Sequence, residues 1–285
     1  MLNYILYRIG EFLILLLPLK LGYSLAQGAA VIKYCFSRSE RALVSENFRV
    51  IFPSIDKKTI RRYTRNVFIN FGKYLTDFLR FQKLDREFVD ENVMVEGLEN
   101  IDNALSKGKG LIIAAAHLGS WELGGATLGI LGYKVSAVAL THKHKKIDDF
   151  FNRQRESKGL MVIPLKRAVK SCVEALSRNE IICLVGDKDF TGNGVTVDFF
   201  GRPTNIPKGL SAFVLKYGAA IVFGATIRVS GDKFLLKFNK PIEFTQTGNY
   251  EEDIKSLTGI YLRQQEECIR KYPDQWFCFR RFWTE

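Results

Sequence analysis

Apolar and polar residues alternate in two rhythms, and the rhythm changes near residue 90. Before it, apolar residues recur at helical spacing. Ser39 can cap a helix running to Val50, and Phe52-Pro53-Ser54 stops it. Asp56 or Thr59 then opens a long amphipathic helix reaching Phe81, with Arg61, Arg62 and Arg65 opposite Val67, Phe68, Phe71 and Leu75. From Val93 onward, short apolar runs alternate with amphipathic stretches. The predicted strands are Val93 to Glu96, Leu111 to Ala116, Val135 to Leu140, Leu160 to Ile163, Ile181 to Val185, Ala220 to Arg228 and Phe234 to Asn239. Helices fall between most of them, which predicts an α/β fold with a mainly parallel or mixed central sheet flanked by helices. No linker suggests independent units, so the expected organisation is an N-terminal helical region over 1–90 and a continuous α/β core over 91–285.

The first apolar stretch, Leu2 to Leu19, is interrupted by Arg8 and Glu11 and closed by Pro18. Its unbroken apolar run is only Phe12 to Leu17. A simple spanning helix needs about twenty such residues, and no small-residue cleavage site follows. Two readings stand: a helix dipping into one leaflet, with Arg8 and Lys20 reaching headgroups, or a core helix packed on the main body.

Charge narrows the partners. The 285 residues carry a net charge of +12 and are rich in aromatics, with 22 Phe. Fifteen Lys and Arg against eight Asp and Glu fall in the first ninety residues. Nucleic acid, an acidic carrier protein and a phospholipid surface would all suit this charge. No zinc ligand set, helix-turn-helix or aromatic RNA-binding signature is present, and the expected partners do not include nucleic acid. Cys35, Cys172, Cys183, Cys268 and Cys278 have neither metal spacing nor an even count, and read as reduced thiols. His142 and His144 lack an evident third ligand and read as part of a solvated basic loop.

The segment Leu111 to Glu122 carries the candidate chemistry. A strand buried on both faces delivers His117 to its C-terminal end, where ligands of open α/β sheets bind. Gly119 lets the chain turn. Ser120 is placed to cap a helix beginning with Trp121 and Glu122, whose unpaired N–H groups and positive dipole end face the same place. An imidazole oriented by a carboxylate takes a proton from an alcohol, a device that speeds reactions by roughly two to four orders of magnitude. No serine elbow or Cys-His pattern supplies a nucleophile, so the substrate brings the hydroxyl. The competing reading is a buried histidine in a strand-helix turn with Glu122 merely filling the first helical turn.

The His117-x-x-x-x-Glu122 block behind a buried strand resembles the lipid A biosynthesis late acyltransferases, a branch of the wider lysophospholipid acyltransferase group. Arg155-Glu156-Ser157-Lys158-Gly159 resembles the family's second block. Gly186-Asp187-Lys188-Asp189 with Val195 to Gly201 resembles its third, and Pro273 to Phe277 with Arg280-Arg281-Phe282 its C-terminal signature. Ser120 stands where the family commonly has asparagine, and Lys145-Lys146 where Asn-Pro is common. These departures leave the reaction type intact and the acceptor open.

The resemblance implies a membrane-associated O-acyltransferase at the cytoplasmic face of the inner membrane. It would move a fatty acyl group from acyl carrier protein or acyl-CoA to a hydroxyl of a lipid A precursor or related glycolipid, with no cofactor or metal. Acylation of another glycolipid or lysophospholipid, such as a phosphatidylinositol mannoside, and a thioesterase using the same dyad on water are the alternatives. His117 and Glu122 form the expected dyad. Asp187 joins the site by resemblance, while Asp189 has a second reading as organiser of the Thr191 to Gly194 turn. Arg155, with Arg153 as competitor, would steady an oxyanion or clamp a phosphate. Phe199 and Phe200 would line an acyl channel or fill the core. The cluster Trp276, Phe277, Phe279, Phe282 and Trp283 would meet headgroups or close the sheet. Nine cations against three carboxylates between Thr141 and Lys170, among them Lys143, Lys145 and Lys146, would attract an acidic carrier.

Overall fold

The computed structural model describes residues 2–189, 192 and 194–283. The chain opens with four helices: α1 (Leu2–Leu16), α2 (Leu19–Phe36), α3 (Arg38–Ile51) and α4 (Lys57–Leu79). Of the two expected openings of α4, Asp56 is the cap: its side chain accepts the Thr59 amide at 2.9 Å. Then come α5 (Arg86–Asn92), β1 (Val93–Glu96), α6 (Leu98–Leu105), β2 (Leu111–Ala115), α7 (Trp121–Ile130), β3 (Val135–Ala139), α8 (Lys145–Glu156), β4 (Leu160–Pro164), α9 (Ala168–Ser177) and β5 (Ile181–Val185). A hairpin of β6 (Val195–Phe199) and β7 (Arg202–Ile206) follows, then α10 (Gly209–Tyr217), β8 (Ala220–Arg228), β9 (Phe234–Phe238) and α11 (Tyr250–Lys271).

Seven strands form one mixed sheet in the order β1-β9-β8-β2-β5-β3-β4, parallel throughout except for β8 against β9. The hairpin β6-β7 is a separate two-stranded sheet that is absent from the predicted strands. Its turn places Phe200 and Gly201 at positive φ.

Alternation along the central strands sorts side chains onto two cores. Leu111, Ile113, Val135 and Ile181 pack with Leu123, Ala126 and Leu128 of α7. Ile112, Ala114 and Ile182 face Cys172, Leu210 and Tyr261 of α9, α10 and α11. Val44, Phe48, Ile60 and Val67 of α3 and α4 join this second cluster, so the helical layer shares its apolar interior with the sheet. The last crossover returns the chain to β8 beside β2, while β3 and β4 lie on the other side. The C-terminal ends of β2 and β5 therefore meet at a topological switch point.

Candidate active site

His117 leaves β2 at that switch point. The loop around it is held by main-chain hydrogen bonds: Gly119 N–H donates to Gln275 O at 2.8 Å, Ser120 N–H to Thr226 O at 2.7 Å and Phe277 N–H to His117 O at 2.9 Å. Gly119 has φ +62°, and a Cβ there would fall 2.0 Å from Thr226 O. Only glycine lets the loop lie this close to β8.

The partner of His117 is Asp187, just past β5, with its Oδ1 2.6 Å from Nδ1. Because an ionised carboxylate can only accept, Nδ1 carries the proton and Nε2 is left as the basic nitrogen. The other oxygen of Asp187 accepts from the His117 amide at 3.2 Å and from Trp276 Nε1 at 3.1 Å. Asp187 is fully buried. Burial alone would raise its affinity for a proton, but the facing imidazole, Lys188 and the Trp276 hydrogen bond outweigh that and hold Asp187 well below the usual carboxylate range. Trp121 sets its ring edge-on to the imidazole at 5.2 Å and stacks on Tyr74 at 4.3 Å.

Glu122 takes a different partner from the one expected. It receives Arg155 Nη2 at 2.5 Å and Nε at 2.8 Å, a two-pronged ion pair from the first turn of α7 to the last turn of α8. Both side chains are about nine-tenths buried, with exposures of 8% and 11%. Burial opposes the charge on Arg155, but Glu122 more than offsets this and holds the guanidinium above its ordinary value. The expectation that Glu122 orients His117 is thus corrected: Asp187 occupies Nδ1. The expectation that Arg155 stands ready for an oxyanion or phosphate is corrected too, since its fork is already filled.

The remaining candidates separate. Asp189 lies on the cavity wall, where it accepts the Gly194 amide at 3.1 Å and Asn205 Nδ2 at 2.8 Å, organising its loop. Thr191 and Asn193 of that turn lie outside the described residues. Ser120 is buried at the N-cap position of α7 but makes no side-chain cap bond. Arg153 is exposed and away from the cavity. Phe199 and Phe200 are buried against Trp276, Phe282 and Trp283 rather than lining a channel. That cluster is core, so of its two readings the one at headgroups is corrected. The indole of Trp276 belongs to the site through Asp187, a role that no spacing in the chain announces.

A cavity of about 810 Å³ opens at His117. It wraps around the C-terminal ends of the strands and has two arms. One runs between α7 and the sheet, past Gly124, Gly125 and Leu128 to Leu160. The other lies on the opposite face between α9 and α10, bordered by Val169, Leu210, Phe213 and Lys216. Glu122, Arg155 and Cys183 stand on its walls, and burial pushes the Cys183 thiol up to about 12. His142 is exposed in a loop, as expected, and also borders the cavity, 4.8 Å from the Phe151 ring. The walls are apolar apart from a few convergent polar groups, which suits a small-molecule chain more than a polar polymer.

An imidazole backed by a buried carboxylate, on the wall of a largely apolar cavity in a mixed α/β sheet, is an arrangement able to take a proton from a bound hydroxyl. Sequence comparison supplies the class. The profile of the bacterial lipid A biosynthesis acyltransferase family matches residues 1–285, and the chain belongs to that family. It is 31% identical over 159 residues to a phosphatidylinositol mannoside acyltransferase of Mycobacterium tuberculosis, covering 54% of this chain and 50% of the relative. The chain thus spans about half the length of that relative. A protein of the same name from Mycolicibacterium smegmatis is 27% identical over 75% of this chain and 70% of its own. The lipid A biosynthesis palmitoleoyltransferase of Escherichia coli is 21% identical over 87% of this chain and 80% of its own.

Proposed function

We propose that this protein transfers a fatty acyl group from a thioester, on acyl carrier protein or coenzyme A, to a hydroxyl of a glycolipid. The observation that carries the reading is His117, fixed by Asp187 with Nε2 left free, at the wall of a cavity large enough for an alkyl chain. In the reaction, Nε2 removes the proton from the acceptor hydroxyl as its oxygen attacks the thioester carbonyl. The tetrahedral intermediate collapses with cleavage of the C–S bond, and the imidazolium returns the proton to the departing sulfur. Asp187 stabilises the imidazolium between these steps. Gly119 and Ser120 have spent their amides on Gln275 and Thr226, so the donors for the oxyanion are the first-turn amides of α7.

The names of the relatives point to a phosphatidylinositol mannoside or a lipid A precursor as acceptor. A sugar hydroxyl on an anionic lipid is common to both and suits a chain of net charge +12. A thioesterase reading would place water where the sugar hydroxyl attacks.

Access from a membrane surface is supported by α1 and α2. Among the described residues no helix is long and apolar enough to cross a membrane. Yet Ile5, Ile9, Phe12 and Leu16 form an exposed stripe along α1, and Leu21, Leu25, Ile32 and Phe36 form another along α2. The inner face of α1 is held by Glu11, which accepts from Gln82 and Gln154. Arg8, expected at headgroups, is paired with the same Glu11 at 2.6 Å. In our reading both stripes lie in the headgroup zone of the inner membrane's cytoplasmic leaflet.

The expected carrier patch is also redrawn. Lys145 pairs with Asp149, and Lys146 lies over the Tyr4 ring, whereas Lys188, Lys208 and Lys216 line the cavity. The deciding experiment mixes purified protein, a radiolabelled acyl thioester and a membrane lipid extract, with mass spectrometry of the products. A lipid heavier by one acyl chain supports transfer. Free fatty acid alone supports the thioesterase, and no thioester consumption overturns both.

A further inference from the structure

Strand register divides the sheet face beneath α7 into layers. Leu111, Ile181, Val135 and Leu160 are aligned in the lowest, Ile113, Cys183 and Ala137 in the next, and Ala115 and Val185 above them. The cavity touches every residue named in the upper two layers, but of the lowest it touches Leu160 alone. Leu128 of α7 borders the same end, and both leucines are 1% exposed. Their placement depends on Gly125, where a Cβ would lie 2.8 Å from Leu160 Cδ2. This arm therefore ends in packed core. The other does not, because its borders include the exposed Val169 and Tyr250.

We propose that Leu160, with Leu128 across from it, is the floor that sets the length of the acyl chain this protein accepts. This rests on the acyl-transfer reading above. By register the floor lies six residues below His117, roughly 20 Å at ~3.3 Å per residue, and three strands across, roughly 14 Å at ~4.8 Å per strand, a straight path of about 24 Å. A saturated chain advances about 1.25 Å per carbon, from C–C bonds of ~1.5 Å at near-tetrahedral angles, so the arm holds about nineteen carbons at most. Its walls present no ion to the chain below Glu122 and Arg155, because the mid-layer side chains are Ile113, Cys183 and Ala137. A longer chain has to displace Leu160, and a shorter one leaves a void above it.

Two substitutions move the floor in opposite directions. Leu160→Ala removes about 2.5 Å of side-chain reach and lengthens the preferred chain by about two carbons. Ala137→Leu, one layer higher, shortens it by a similar amount. Each full-length variant is assayed by thiol release from saturated acyl thioesters differing by two carbons, with membrane lipid extract present. Thermal protection by the corresponding free fatty acids is read in parallel. Opposite shifts of the optimum support the floor. Unmoved optima in both folded variants overturn it, and Leu160→Val replaces Leu160→Ala if that variant fails to fold. The two readings fail separately. Wild-type protein that releases no thiol, yet shows fatty-acid protection whose best length moves with the substitutions, overturns acyl transfer and keeps the floor. Protection that is flat across chain length, together with no thiol release, overturns both.

Discussion

Asp187 and Glu122 each follow the end of a central strand and border the same site, yet one is held by an imidazole and the other by a guanidinium. A guanidinium keeps its proton at any ordinary pH, so the Glu122–Arg155 pair is permanent and ties α7 to α8. An imidazole gives its proton up. On the acyl-transfer reading, the imidazole that faces Asp187 becomes a full charge only while it carries a proton taken from substrate, whereas Lys188 is charged throughout. Between turnovers Asp187 is held by the Trp276 indole, the His117 amide and Nδ1–H. On the proposed acyl-transfer reading, proton transfer falls to the pair that can change its charge, and structural locking to the pair that cannot.

The comparison breaks most visibly at His117. His117→Ala should lower acyl transfer by about a thousandfold or more, with the far-ultraviolet spectrum unchanged, because its basic nitrogen has no replacement. Asp187→Asn should cost about a hundredfold or more in turnover, since the carboxylate fixes the tautomer of His117 and stabilises the imidazolium. The double variant should be hardly worse than His117→Ala alone, the mark of residues that act as one unit. Additive losses in the double variant would separate the two residues.

Glu122→Gln should act on stability first. Breaking a buried ion pair by removing one charge costs about 3–5 kcal/mol, so a large fall in melting temperature is expected. Adding Arg155→Met should restore much of it, because no uncompensated charge remains. If Glu122→Gln kept the wild-type melting temperature but lost turnover, the locking role would be wrong.

Acid should weaken the support that Asp187 gives the fold. The carboxyl of Asp187 is held below its unfolded value, so its contribution is complete above that value, about 3.9, and is lost as pH falls toward the folded one. Denaturant titrations of wild type and Asp187→Asn should differ at neutral pH and converge at strongly acid pH. A constant gap would contradict the depressed carboxyl.

The smallest effects are expected at the mouth. Lys208→Glu with Lys216→Glu should raise KM for an acidic carrier thioester several-fold at low salt, with little change in kcat, and the difference should shrink as salt is added. Equal effects on carrier and coenzyme A thioesters at all salt concentrations would remove the steering role.

Much of this architecture was legible along the chain. The Leu111 run, the Asp56 cap and the strand beginning at Ile181 follow from local apolar period and capping chemistry, and each appears where expected. The hairpin Val195–Ile206 was not legible, because the first positive-φ residue of its turn is Phe200, so that Gly201 alone, followed by Arg202-Pro203, does not read as a two-residue hairpin turn. The aromatic tail around Trp276 left two readings open for a related reason. Interleaved Arg and Phe suit either an interface or a closing element of the sheet, and the choice falls to β6 and the loop after β2, which cover the tail and are not near it in sequence.

At the site itself, the sequence determined that a histidine would stand at the end of a buried strand, with two acids and an arginine within reach of that sheet edge. Those facts depend on apolar periodicity and short turns, which are local. Only the tertiary structure decided which acid meets which base. A step of five residues across a turn starts α7 and carries Glu122 toward α8, whereas parallel pairing of β2 with β5 sets Asp187 directly beside His117. Strand pairing is a long-range event whose partner and register are chosen by burial over the whole sheet, so no spacing between two residues in the chain encodes it.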